Sequence, residues 1–275
     1  MMRMFCATNY SDAGRQVVFL RIVVKVGTST LTYPTGRLNI RRVEALCRVL
    51  SDLKNAGHEV VLVSSGAIGM GVGKLGLTKR PEDMPSKQAA AAVGQCELMY
   101  VYDKLFSEYN HTAAQILLTA EDLRDKKRHG NFSNTILRLL ELGALPVINE
   151  NDTVSTEEIA FGDNDTLGAL AAVSVQADLL ILLTDIDGLY TADPRRDPGA
   201  ARIPEVTELT PEILASAGGQ GSALSTGGMA TKLSAAQLCM DAGIDMVIAN
   251  GSWPEVLYEA VDGKEVGTRF RGRKA

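Results

Sequence analysis

The sequence predicts an α/β fold: an open, mainly parallel sheet sandwiched between helices in three layers. Short runs dense in aliphatic and β-branched residues recur along the chain, separated by segments whose apolar residues fall at helical spacing. The apolar runs lack the alternation of a half-exposed strand, so both faces of each strand must be covered. No repeat of about 20–50 residues breaks this pattern, and no linker splits it.

Residues 17–26 (VVFLRIVVKV) are β-branched and end in Gly27, reading as a buried first strand. Residues 40–56 follow as a helix with Ile40, Val43, Leu46, Cys47, Leu50 and Leu53 on one face and Gly57 just past its end. Residues 59–64 form a second strand that closes in the small-residue turn Ser64, Ser65, Gly66. A loop holding Pro81 and Pro85 leads to a long helix over roughly 86–109. Residues 113–118 and 144–149 are two further strands flanking a helix near 131–142. An Ala-rich helix over 165–177 precedes the most hydrophobic strand, 179–184 (LLILLT). Met229, Leu233, Ala236 and Met240 mark a helix over 229–242, again followed by a glycine, Gly243. Residues 245–249 (DMVIA) close the series as a strand.

Composition narrows the function classes. The 275 residues are 45% hydrophobic and 22% charged, with 26 Gly and 9 Pro, as in an ordinary globular protein. No apolar stretch approaches the roughly 18 residues of a membrane-spanning helix, so no membrane role is expected. A net charge of −5 argues against a nucleic-acid partner. Cys6, Cys47, Cys96 and Cys239 are dispersed and read as small core residues of a reducing compartment. With three histidines (His58, His111, His129) they offer no metal-ligand spacing. Residues 1–16 are too polar for a signal peptide and read as a flexible leader before a single domain over 17–275, which places the chain in the cytoplasm.

In open α/β sheets ligands sit beyond the carboxyl ends of the strands, and four such places stand out. In VKVGTST (24–30) Lys25, Gly27 and three hydroxyl residues offer a cation, amide N–H groups and hydroxyls suited to phosphate, although a lysine leaving a strand before a plain turn reads equally well. Ser64, Ser65 and Gly66, followed by Gly69, Gly71 and Gly73, expose amide donors for an anion or simply make a tight strand-to-helix turn. Asn149, Glu150, Asn151 and Asp152 follow a strand, and Asp163, Asn164 and Asp165 open a helix; these seven exceed what capping requires and can hold a substrate ammonium or organise cations. Their spacing is not that of a calcium loop. Residues 218–232 carry five glycines ahead of Lys232, a phosphate-covering loop or a Gly-rich surface loop, but not a Walker A motif.

Together these pieces resemble the amino acid kinase family over roughly residues 20–270. The motifs are VVKVGTSTLT (23–32), VSSGAIGMG (63–71), PVINENDTV (146–154), FGDNDTLGALAA (161–172), LLTDIDGLYTADP (182–194) and STGGMATK (225–232), in family order. The resemblance is strongest to members that act on glutamate at the start of proline synthesis. It implies that ATP, with Mg²⁺, phosphorylates the γ-carboxylate of L-glutamate. A carboxylate with a pKa of about 4.3 is ionised at neutral pH and needs no general base, which agrees with three histidines lying outside the motifs.

By the same resemblance Lys25 and Lys232 flank the transferred phosphoryl group, and Asp165 orients the lysines or serves magnesium. Ser65, Asp152 and Asn164 match glutamate-binding positions. Lys25, Gly27, Thr184, Asp185 and the run Thr226, Gly227, Gly228, Met229, Ala230, Thr231, Lys232 match the nucleotide side. L-proline is the implied feedback inhibitor and a homo-oligomer, dimer or tetramer, the implied assembly. Many such kinases carry a C-terminal PUA domain, whereas this sequence ends soon after GTRF (267–270). The alternatives are another substrate (N-acetylglutamate, aspartate, carbamate or UMP) or a non-catalytic sensor of proline or glutamate. The acidic 149–165 region favours a substrate with an ammonium group, and a sensor needs neither Lys25 nor Lys232.

Overall fold

The computed structural model describes residues 18–33, 37–155, 164–194, 197–217 and 228–273. The first strand, β1 (Arg21–Val26), runs at the centre of an eight-stranded sheet. After it come α1 (Thr28–Leu31), α2 (Ile40–Asn55), β2 (Glu59–Ser64), α3 (Ala67–Lys74), α4 (Met84–Ser107) and β3 (Ala113–Leu118). The chain continues through α5 (Ala120–Arg124), α6 (Lys126–Glu141), β4 (Leu145–Glu150), α7 (Asn164–Ser174) and β5 (Leu179–Thr184). Short strands β6 (Leu189–Tyr190), β7 (Arg202–Ile203) and β8 (Glu205–Val206) precede α8 (Pro211–Ala217) and α9 (Met229–Asp241). The series closes with β9 (Asp245–Asn250), α10 (Val256–Val261) and β10 (Thr268–Phe270).

The sheet order is β3-β4-β2-β1-β5-β9-β10-β8, and every pairing is parallel except β10 against β9. Both faces are covered, as the unbroken apolar runs required. Ile22, Val24 and Val26 of β1 pack under α2, α4 and α10, while Val23 faces the layer built by α6, α7 and α9. Lys25 shares the side of Val23, because side chains alternate along a strand. That parity brings a lysine beneath α7.

Several expected boundaries move. The first strand starts at Arg21, and Val18 and Phe19 are exposed ahead of it. Ile40 belongs to the expected buried face of α2 but is exposed at the first position of that helix, where no neighbouring layer reaches it. Pro85 lies inside the first turn of α4 rather than in the loop, with Asp83 as the cap. That position suits proline, whose missing N–H has no helical partner there. Helix α6 starts at Lys126, earlier than its apolar residues indicate, because Asp125 caps it. A capping box of Thr119 and Asp122 starts α5, which the sequence reading does not assign. Cys47 and Cys239 are buried as expected, whereas Cys96 is exposed on α4. Cys6 and residues 1–16 lie outside the described residues.

Helices α3 and α4 approach unusually closely. A Cβ on Gly71 would lie 1.8 Å from the Ala90 carbonyl oxygen, and one on Gly94 would lie 1.8 Å from that of Ala67. Only glycine at both positions permits this contact. It presses α4 against the helix that opens from the Ser64–Gly66 turn.

Candidate active site

The carboxyl ends of β1, β2, β4 and β5 converge on one edge of the sheet, where the motif residues collect. Three charged groups meet beneath α7. Asp165, only 1% exposed, takes the Lys25 ammonium on Oδ1 at 2.5 Å and the Lys232 ammonium on Oδ2 at 2.9 Å. Gly168, one turn further along α7, lets the helix cross Lys25: a Cβ there would sit 3.3 Å from the Lys25 Cβ. Lysines 207 positions apart in the chain thus share one carboxylate, and all three groups are buried. A lone buried charge would be prohibitively costly, so the pairing is what allows this cluster to exist.

Gly27 caps α1 and accepts from the backbone N–H groups of Thr30 and Leu31. Gly228 caps α9 with no side-chain hydrogen bond, leaving the first N–H groups of that helix without a side-chain acceptor. The Thr231 hydroxyl donates to the Gly228 carbonyl at 2.7 Å, and Met229 and Ala230 complete the first turn. Thr184 ends β5, and its hydroxyl donates to Asp185 Oδ1 at 3.0 Å. Thr226 and Gly227, with residues 218–225, lie outside the described residues, as does Asp163.

One residue before Asp165, the chemistry changes from charge to neutral amides. Asn164, 5% exposed, donates through Nδ2 to Ser65 Oγ at 2.8 Å, to Asn149 Oδ1 at 3.0 Å and to the Ser64 carbonyl at 3.2 Å. Its Oδ1 is buried and accepts nothing. Asn149, the fifth residue of β4, passes the chain on, its Nδ2 donating to Gln95 Oε1 of α4 at 2.8 Å. Asp152 lies in the turn that follows β4, a turn closed by bonds from the Val154 and Ser155 N–H groups to the Asn151 carbonyl. Glu150 is turned inward and accepts from the Ser155 hydroxyl at 2.6 Å.

The structure therefore brings Lys25, Lys232 and Asp165 together, and sets Ser65 and Asn164 beside them. Asp152, Thr184 and Asp185 stand at the same strand ends, and Gly228 caps the helix that carries Lys232. Sequence reasoning missed two supporting groups. Gln95 and Tyr102 lie two turns apart on α4, and the Tyr102 hydroxyl meets Ser64 Oγ at 2.8 Å. Burial pushes the Tyr102 phenol well above its ordinary range, so it remains a neutral hydrogen-bonding partner. Their seven-residue spacing on an otherwise apolar helix face was the available signal. Among the described residues, no group of three or more His, Cys, Asp or Glu could hold a metal ion.

Comparison with known proteins places this geometry. The model of the amino acid kinase family matches residues 20–250. A glutamate 5-kinase of Clostridium perfringens is 54% identical over 258 residues, covering 92% of this chain and 96% of the relative. A glutamate 5-kinase of Carboxydothermus hydrogenoformans is 55% identical over 255 residues, covering 92% of this chain and 68% of the relative. Among solved structures, carbamate kinase from Giardia lamblia bound to AMP-PNP superposes with a TM-score of 0.65 at 14% identity, covering 92% of this chain and 98% of the other. UMP kinase from Bacillus anthracis gives 0.59 at 16% identity, covering 93% and 97%. At these identities the two structures speak for the fold alone.

Proposed function

This chain belongs to the amino acid kinase family, and from that premise we propose that it transfers the γ-phosphoryl group of ATP to the γ-carboxylate of L-glutamate, the first step of proline biosynthesis. A carboxylate oxygen attacks the γ-phosphorus, the bond to the β–γ bridging oxygen breaks, and ADP leaves with the electron pair. The observation that carries this reading is the double ion pair of Asp165 with Lys25 and Lys232 beside the unpartnered acceptor of Asn164. The curated relatives, glutamate 5-kinases at 50–55% identity, agree with it.

The ionised nucleophile needs no base, so the remaining work is positioning and neutralising charge on the phosphoryl oxygens. Lys25 and Lys232 supply that charge, with the Gly27 region and the open N-terminus of α9 taking phosphate oxygens. Thr184, Asp185 and the 226–232 run serve the nucleotide. Asp165 orients the two lysines; its carboxylate is already engaged by both, which supports this role over holding magnesium. Magnesium bound with ATP would supply charge neutralisation on the phosphates, beside the two lysines. Ser65, Asn164 and Asp152 take the amino-acid head. An acceptor amide and a carboxylate call for a cationic donor, which the glutamate ammonium provides and N-acetylation removes.

L-proline shares the α-carboxylate and a cationic nitrogen, so it competes for the same groups as a feedback inhibitor. Residues 17–275 act as one kinase domain that assembles into a dimer or tetramer. The setting is the cytoplasm; no helix among the described residues is long and apolar enough to cross a membrane. The test is ADP release with glutamate, aspartate, N-acetylglutamate and UMP, with hydroxylamine trapping an acyl phosphate as hydroxamate. Efficient turnover and hydroxamate with glutamate alone are expected, with the rate at subsaturating glutamate falling as proline is added. Preferential turnover of UMP or N-acetylglutamate overturns the substrate, and glutamate binding without turnover leaves a sensor.

A further inference from the structure

We propose that Gln95 is a positioning residue for the amino-acid head of the substrate, acting through Asn149 to fix which way the Asn164 amide faces; the inference rests on the glutamate reading above. Amide groups are directional, and each can be turned over by half a rotation that exchanges donor for acceptor. The chain Gln95–Asn149–Asn164 is polarised from one end by the Ser64 carbonyl, a backbone oxygen that can only accept. It draws Asn164 Nδ2 inward, where Ser65 Oγ and Asn149 Oδ1 also accept from it. Asn164 Oδ1 is thereby left as a buried acceptor with no partner. An unpaired buried acceptor is unfavourable until a donor arrives, and the α-ammonium of glutamate is such a donor.

This polarity holds only while Asn149 keeps its oxygen toward Asn164. Turned over, Asn149 would set donor against donor. Gln95 completes the same polarity, its Oε1 accepting from Asn149 Nδ2 at 2.8 Å, so Asn149 can turn over only at the cost of this bond or by turning Gln95 with it. The backbone that carries it is held close to α3, because the adjacent Gly94 abuts the Ala67 carbonyl with no room for a side chain. Gln95 thus ties the α3–α4 contact to the substrate acceptor through two amides, and removing its acceptor loosens Asn164 without touching the lysine cluster.

The variants Gln95→Met and Gln95→Leu remove the acceptor at similar bulk, while Gln95→Glu keeps an accepting oxygen in either protonation state. Loss of one oriented hydrogen bond corresponds to roughly tenfold in affinity. For Met and Leu, KM for glutamate is expected to rise about tenfold, with kcat and KM for ATP within about twofold of wild type. Gln95→Glu should stay within about threefold on all three. Glutarate, which lacks the amino group, should compete with an unchanged inhibition constant in every variant. The proposal is overturned by an unmoved KM in Met and Leu, by an equal rise in Glu, by a parallel loss for glutarate, or by a lowered Tm as the sole effect. A wild-type chain that does not phosphorylate glutamate overturns instead the reading beneath it, before any variant is made.

Discussion

Asn164 and Asp165 are neighbours at the start of α7, yet they anchor two halves of the site with opposite chemistry. Asp165 gathers two lysines from distant elements into a compact charged cluster. Asn164 joins a run of neutral amides and hydroxyls extending through Asn149 to Gln95 and through Ser65 to the α3 turn. On the proposed reading the charged half recognises by charge: two buried ammonium groups suit phosphate oxygens. The amide half has no net charge and recognises by direction, through a single acceptor left open by the polarity of its neighbours. Charge supports transition-state stabilisation, because it grows in value as charge develops on the phosphoryl oxygens. Direction supports ground-state selection of the amino acid. Substitutions in the two halves should therefore separate into kcat and KM effects.

The largest effect belongs to the charged half. Lys25→Ala and Lys232→Ala should each lower kcat by about 10²–10³-fold while KM for glutamate stays near its wild-type value. Steady-state kinetics decide this, and a near-normal kcat in either variant would make that lysine a structural partner of Asp165 only. Next comes Asp152→Ala, which on the proposed reading removes a charge-assisted bond to the ammonium. Such bonds contribute about 1.5–3 kcal/mol, or roughly 10–150-fold. KM for glutamate should rise in that range, proline inhibition should weaken in parallel, and KM for ATP should hold. An equal rise in both KM values would move Asp152 to magnesium, and a fall in Tm alone would make it a turn former.

Gly94→Ala sharpens the comparison from behind the amide half. Its Cβ would meet the Ala67 carbonyl at 1.8 Å, so α3 and α4 must part. Overpacking of this kind costs about 1–3 kcal/mol. A clear loss of Tm is expected, with KM for glutamate raised and KM for ATP unmoved. Equal damage to both would mean that the halves are not mechanically separate.

The smallest effect lies outside both halves. His58 is half-buried, and its Nδ1 accepts from the Leu20 N–H at 3.1 Å, which requires the neutral ring. Burial holds its pKa below the ordinary 6.5, against a weaker pull upward from Asp262. The unfolded chain then binds more protons within that window, so this contribution is complete above 6.5 and declines as pH falls below it. Thermal melts from about pH 7.5 to about pH 5.5 should show a modest decline that is absent in His58→Gln, with both KM values unaffected by the substitution. A changed KM would bring His58 into the site's economy.

What the sequence made legible follows from the same contrast. Strands buried on both faces advertise themselves as apolar runs, so 59–64 and 179–184 coincide with β2 and β5 to the residue, and 113–118 coincides with β3, a partly buried edge strand. Lys25 stood out because a charge inside an apolar strand demands a reason, Asp165 because carboxylates and amides cluster beyond capping needs, and Lys232 because it follows a glycine-rich run. Ser65 and Asn164 stood out because small and amide residues crowd the strand ends. Gln95 did not, since one glutamine at the end of AAAAVGQ reads as the polar side of a helix. Its meaning comes from the direction of an amide across the fold, and that is a tertiary property. The antiparallel β10 escaped notice for a related reason: three residues are too few to show a period, and β10 is held by its register against β9.

The division of the site is tested most directly by calorimetric titration of L-glutamate into Asn164→Ala and Lys232→Ala without nucleotide, where no turnover can blur affinity with rate. The account expects Asn164→Ala to lose about 10–150-fold in affinity, the range of a charge-assisted hydrogen bond, while Lys232→Ala binds glutamate as the wild type does. Equal losses in the two variants, or a loss confined to Lys232→Ala, would contradict it.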